Sequence, residues 1–239
     1  MKQIVTTSWD DGSIADLKVA ELLNKYGVKG TFYIPKFLFA HPLERNDILA
    51  LDKNFEIGCH TLNHIDLTKV SLSEAKQEIE GSKAYLEDLL GYTVPMFCYP
   101  SGRFNGDIKR IVRGSGFMAA RTIKRGSLTP PSDHYEWGVT SYLGKGSPFL
   151  TITAWQKMHL SIKGIWDWET RAKLLFDKFL KRGGIYHIWG HSLVFEIDLL
   201  WDKLERVLAY ISHREDVSYL TNGEIFTSQS QAGNRLDGK

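Results

Sequence analysis

The chain predicts an α/β fold in which strands alternate with helices around a single core. β-prone runs at residues 3–9, 28–34, 55–59, 94–99, 117–121, 185–189 and 217–221 are separated mostly by stretches with helical spacing of apolar residues. Such alternation implies parallel pairing, because a parallel crossover takes a dozen or so residues and usually a helix. The length of 239 residues permits one large domain or two small ones. No internal repeat and no linker divides it, so one open or barrel-like α/β domain is expected.

The elements follow in order. The first strand, 3–9, leads to a helical stretch near 16–26, and strand 28–34 to a weak helix near 44–53. After the short strand 55–59 comes a strong helix at 72–90. Ser71 with Glu74 forms a capping box there, and Leu72, Ala75, Ile79, Leu86 and Leu90 keep to one face. Strand 94–99, helix 107–113 and strand 117–121 continue the pattern.

The rhythm then breaks. Residues 126–165 hold Pro130-Pro131, several glycines and β-prone pieces around 137–143 and 150–155, and are expected to form an irregular excursion. Helix 167–181 carries an apolar stripe of Trp168, Ala172, Leu175, Phe176, Phe179 and Leu180, and Gly183-Gly184 stops it. A helix through Leu200, Leu204, Val207, Leu208 and Ile211 precedes the last strand. The domain is expected to span 1–227, with a polar tail at 228–239.

Composition narrows the function classes. Hydrophobic residues at 43% and charged residues at 24% are ordinary for a folded globular chain. Thirty basic against 28 acidic side chains leave +2, which gives no electrostatic footprint for nucleic acid. No apolar run approaches the roughly 18 residues that span a bilayer. The first nine residues are too few and too polar for a signal peptide, so a cytoplasmic location is expected. Cys59 and Cys98 cannot form a disulfide framework and are expected as buried thiols. The phosphate-binding glycine patterns of dinucleotide and P-loop folds are absent.

Ligand-capable residues recur just past the C-terminal ends of the predicted strands, the face on which parallel α/β folds build active sites. They are Asp10-Asp11-Gly12, His60-Thr61-Leu62-Asn63-His64, Pro100-Ser101-Gly102, Arg121 and Gly190-His191. His60 and His64 at a spacing of four would point the same way on one helical turn. Two imidazoles and a carboxylate make a three-ligand site for a zinc-like ion, with a position left for water. Such an ion acidifies its water and polarises a carbonyl. One of the two aspartates would ligate and the other serve as general base. Taken singly, a histidine pair is more often a surface pair and an Asp-Asp run a helix cap; together at neighbouring strand ends they favour the chemistry.

These residues resemble a known motif series. Ser8-Trp9-Asp10-Asp11-Gly12, the His60–His64 run, Tyr99-Pro100-Ser101-Gly102 and Ile188-Trp189-Gly190-His191 look like the motifs of polysaccharide deacetylases, the NodB-homology, carbohydrate esterase family 4 superfamily. The resemblance implies a distorted (β/α) barrel with about seven parallel strands and hydrolysis of an N- or O-acetyl group on a sugar or oligosaccharide. It implies Asp10 as general base, His191 as general acid, and Asp11, His60 and His64 as ligands of a divalent ion. Zinc is expected, with cobalt, nickel or manganese as alternatives. The Ser101 N–H would help hold the oxyanion, and Tyr99, Pro100 and Trp189 would flank the substrate.

The family pattern places Arg two residues before the motif proline, where this chain has Cys98; Arg121 is the expected substitute and Arg103 the second choice. The fourth motif is matched only loosely by Asp133 and Trp137. His187 rivals His191 for the acid role. Trp9 and Trp189 are candidates to wall the cavity, Trp137, Trp155 and Trp166 to stack on a sugar, and Trp168 and Trp201 to pack helices. Two further readings compete: an amide or imide hydrolase of small cyclic substrates on the same scaffold, and a carbohydrate-binding relative without activity.

Overall fold

In the computed structural model, which describes residues 3–37, 40–144, 164 and 166–233, strand β1 (Gln3–Asp10) organises the sheet. One of its edges pairs along its full length with β7 (Gly184–His191), in the register Gln3↔Gly184 to Asp10↔His191. The other edge is shared. Thr7–Asp10 pair with β2 (Gly30–Ile34), and Gln3–Val5 with β8 (Val217–Tyr219). Beyond β2 follow β3 (Glu56–Cys59), β4 (Met96–Cys98) and β5 (Ala119–Arg121), and β6 (Ser141–Tyr142) adds to β7. Every pairing is parallel.

Apart from β8, whose Ser218 is exposed, the strands are buried on both faces, as staves of a barrel must be. One face of the sheet packs on helices through Val5, Trp9, Phe32, Ile57, Phe97, Tyr186 and Ile188. The other encloses an inner cluster of Ile4, Tyr33, Met96, Cys98, Ala119, Trp137 and Ile185. The surrounding helices are α1 (Asp16–Lys25), α2 (Arg45–Asp52), α3 (Leu72–Leu90), α4 (Gly106–Gly114), α5 (Trp168–Arg182), α6 (Ser192–Ile197), α7 (Trp201–Ile211) and α8 (Asn222–Gly233). No described helix is long and apolar enough to cross a membrane.

The stretch expected as an excursion joins the sheet's two edges. Trp137 bridges to Arg121: its N–H donates to the Ala120 carbonyl (3.1 Å) and its carbonyl accepts from Thr122 (2.7 Å). A few residues on, Thr140 N–H donates to the His187 carbonyl (2.7 Å) and Leu143 N–H to the Trp189 carbonyl (2.8 Å). The chain from 137 to 143 is thus stitched first to β5 and then to β7. Pro130-Pro131 and the irregular spacing hid this, because only two residues form a regular strand. The β-prone piece at 150–155 lies outside the described residues.

Helices α6 and α8 were not expected. Helix α8 runs into the segment predicted as a tail and sets Ile225 and Phe226 into the inner cluster, closing the barrel floor. Its signal was present: Thr221 and Glu224 form a reciprocal capping box, Glu224 accepting from Thr221 N–H (2.7 Å) and Thr221 from Glu224 N–H (3.3 Å). In α3 the buried face is Ala75, Ile79, Leu86 and Leu89, while Leu72, at the first helical position, is 52% exposed.

Helix α8 docks on Glu56, which accepts from Gly223 N–H (3.0 Å) and from the Thr31 hydroxyl (2.6 Å). Glycine is required at 223, since a Cβ would stand 2.1 Å from Glu56 Oε1. Burial pushes the Glu56 carboxyl up to about 7 against the hydrogen bonds from Thr31 and Gly223. An acid raised in the folded state stabilises fully below its unfolded value and loses that contribution as pH climbs through the folded value. Glu56→Gln is therefore expected to match wild type near pH 4.5. At pH 8 it should be more stable by up to about 3 kcal/mol. Urea melts of both proteins across this range check it, and a pH-independent difference would exclude the effect.

Candidate active site

Gly12 makes the turn that turns Asp10 and Asp11 into one cavity. Its φ is +65°, and a Cβ there would meet Ile34 Cγ2 at 2.9 Å. Asp11 is itself left-handed at φ +81°, as are Thr61, His64 and Ser101 at +66°, +51° and +54°. Backbone held in this region is costly and concentrates where side chains must be aimed.

His60 and His64 do not share a helical turn. Residues 60–66 form a loop, and the left-handed Thr61 and His64 fold it so that the two rings approach edge to face, with centroids 4.7 Å apart. Glu78 of α3, absent from the sequence-based candidates, fastens this loop. It accepts from the N–H groups of Leu62 (3.0 Å) and Asn63 (2.9 Å) and from the Asn63 amide (2.5 Å). An acid on the buried face of a predicted helix was the available signal.

Asp11, His60 and His64 converge, with one donor atom from each lying within 4.8 Å of the others. Asp11 Oδ1 is 3.6 Å from His60 Nε2 and 3.3 Å from His64 Nε2, and His191 Nε2 is 3.8 Å from Asp11 Oδ2. His60 Nδ1 lies 2.8 Å from the Cys98 carbonyl. A carbonyl only accepts, so Nδ1 carries a proton and Nε2 is the atom turned to Asp11.

Burial pushes the Asp11 carboxyl up, but His60, His191 and His64 outweigh it and hold it well below the usual carboxylate range. Burial opposes charging of His60, yet Cys98, Asp11 and Asp10 hold its imidazole well above the ordinary value. Burial and the neighbouring His60 keep His64 below it. Among the described residues, Asp11 Oδ1 is buried with no completed hydrogen bond. Two imidazoles and a carboxylate whose orphaned oxygen is aimed between them fit a divalent ion of the zinc type.

Asp10 stands beside this trio in a different environment. It is 2% exposed, and both its oxygens accept from Nη2 of the fully buried Arg121. Arg121 is directly opposite Cys98 in the β4–β5 register, donates to its sulfur (2.8 Å), and lies between the rings of Tyr33 and Trp189, 5.1 Å from each centroid. Its desolvation is thus offset by an ion pair and two cation–π contacts. Arg103, in contrast, is an exposed partner of Asp66 (2.6 Å).

The other candidates divide. His191 ends β7, with Trp189 at 5.0 Å and Tyr142 at 5.7 Å between ring centroids. His187 does not reach the carboxylates; it is buried against Trp137 and hydrogen-bonded to Ser8 (2.7 Å), and desolvation holds it well below the ordinary histidine value. Ser101 is exposed and Pro100 buried. Tyr99 has no exposed surface, and its ring stacks on Phe104 in the outer layer, so it does not flank a substrate. Trp189 is 4% exposed and supports His191 and Arg121 from beneath.

Trp9 packs outward against Phe195 and so does not wall the site, and Trp137, buried in the barrel interior, has no exposed face for a sugar. Asp133 pairs with Lys109 (2.9 Å), away from the trio. Trp166 is 79% exposed, whereas Trp168 and the partly buried Trp201 pack helices as expected. Cys59 and Cys98 are free buried thiols. Trp155 lies outside the described residues.

Residues 1–120 match the family described as polysaccharide deacetylase. The chain is 25% identical over 122 residues to a peptidoglycan-N-acetylglucosamine deacetylase of Bacillus cereus, covering 49% of this chain and 55% of that protein. It is 27% identical over 104 residues to a bifunctional xylanase/deacetylase of Pseudobutyrivibrio xylanivorans, covering 41% and 17%. The chain therefore spans only part of the length of these curated relatives. Its fold is similar to that of the chitin deacetylase from Colletotrichum lindemuthianum, with a TM-score of 0.58, 15% identity and coverage of 94% and 89%.

Proposed function

Since this chain belongs to the polysaccharide deacetylase family, we propose that it is a metal-dependent hydrolase that removes acetyl groups from an N- or O-acetylated sugar or oligosaccharide. The observation that carries the proposal is the convergence of Asp11, His60 and His64 beside an Asp10 held by a buried guanidinium. Asp11, His60 and His64 would hold the ion, zinc by its donor set. Bound there, the ion supplies Lewis acidity, acidifying water and polarising the acetyl carbonyl.

The chain's own residues divide the proton work. Asp10 takes a proton from the attacking water, and Arg121 fixes the direction in which its carboxylate faces. As the bond between the acetyl carbon and the sugar nitrogen or oxygen breaks, His191 gives a proton to the leaving atom and acetate is released. The Ser101 N–H would donate to the oxygen on which charge develops. Trp166, 79% exposed, would offer a flat face to a sugar ring.

Acetate release from chitooligosaccharides, peptidoglycan fragments and acetylated xylan tests the reading. Turnover of at least one, lost on chelation and restored by zinc, is the expected result. No acetate from any of them, with hydrolysis of a cyclic imide instead, would overturn it.

A further inference from the structure

Asp16 is a buried acid that the proposed chemistry leaves unused. It sits in the first turn of α1 with no exposed surface, and neither carboxyl oxygen completes a hydrogen bond among the described residues. It interacts with the hydroxyl of Ser192, which is also fully buried and also lacks a completed hydrogen bond. Ser192 follows His191 directly and opens α6, and α6 packs against α1. Nearly all buried polar groups in folded proteins have partners. Two that face each other without closing, immediately behind an acid and a metal ligand, call for an explanation.

Burial first, and then neighbouring charge, favour the neutral form of this carboxyl. Burial pushes Asp16 well above the usual carboxylate range, the Ser192 hydroxyl draws it back, and the fields of Asp11 and Asp10 push it up again. A neutral carboxyl can donate through its O–H and accept through its C=O, so it can close on the hydroxyl in either sense.

We propose that Asp16 is a positioning residue for the acid: through Ser192 it ties the first turn of α6, and with it His191, to α1. The inference rests on His191 as the proton donor. Closing or opening this tie would move the imidazole relative to Asp11 Oδ2, now 3.8 Å from its Nε2.

Steady-state acetate release by Asp16→Asn, Asp16→Ala, Ser192→Ala and the double alanine variant tests it, with His191→Ala as the reference. Asp16→Ala and Ser192→Ala should each lower kcat about tenfold with KM nearly unchanged, and the double variant should fall no further. Asp16→Asn, which keeps a donor and an acceptor, should recover most of the rate, and zinc content should be constant throughout. Unchanged kcat in Ser192→Ala, additive losses in the double variant, or equal losses in Asp16→Asn and Asp16→Ala would overturn the proposal. If Asp16→Ala fails to fold, Ser192→Ala and Asp16→Asn decide. Full turnover by His191→Ala would remove the acid reading itself and this proposal with it, an outcome distinct from the others.

Discussion

Arg121→Met is expected to lower the unfolding free energy by about 3–5 kcal/mol, the cost of breaking a buried ion pair from one side. Asp10 is 2% exposed and Arg121 has no exposed surface, so water cannot replace the lost guanidinium. Methionine fills much of the volume between Tyr33 and Trp189 but leaves the Asp10 carboxylate without a counter-charge. Either the carboxylate takes up a proton or the barrel opens to hydrate it, and each removes the base. Urea melts and acetate release, measured together, should show both losses.

The register offers a compensating variant. Cys98 and Arg121 are opposite one another on adjacent strands. The double exchange Cys98→Arg with Arg121→Cys should therefore recover part of the stability lost by Arg121→Met. A stability change below about 1 kcal/mol in Arg121→Met would show that the pair contributes no more than an exposed one.

Asp10→Asn and His60→Ala should separate the two functions of the site. Asp10→Asn is expected to lower kcat by about 10²- to 10⁴-fold, the usual contribution of a positioned general base, while the protein still takes up one zinc. His60→Ala should lose the zinc, because it removes the one imidazole of the trio whose orientation is set by a buried backbone acceptor. Zinc content after dialysis, read beside turnover, checks both. Equal activity of Asp10→Asn and wild type would take Asp10 out of the base role, and full zinc content in His60→Ala would take His60 out of the ligand set.

Much of this arrangement was legible in the chain. Period and capping marked β1 to β5, β7, and α3 and α5, because those elements bury continuous apolar runs and end on Gly or Ser/Thr signals. Parallel pairing followed from the crossovers, while the strand order came only with the sheet. The side chains of Asp10, Asp11, His60, His64, Arg121 and His191 gather at the strand ends, where alternation along β1 and β7 sends them.

What was not legible depended on three dimensions. The His60–His64 spacing suggested a helical turn, whereas two left-handed residues perform the convergence, and left-handed Thr and His have no sequence signature. Tyr99 carried a motif position but takes the outer side of the alternation, so its ring joins Phe97 and Phe104. Arg121 was preferred to Arg103 because it ends the next strand, but its register directly opposite Cys98 came only with the sheet. Glu78 and Asp16 read as ordinary polar positions until burial distinguished them.

The double pairing of β1 bears on how the chain reaches its native state. Within this domain β1 is made well before β7, the strand that covers one whole edge of it. The nascent N-terminal half carries Asp10, Asp11, His60 and His64, whereas Arg121 and His191 arrive later. The groups proposed to bind the ion and those proposed to handle protons are thus delivered in separate instalments. Closing of a long-range, slow-forming parallel pair brings His191 to the others, which makes assembly of the proposed site a late event in folding and ties it to completion of the barrel.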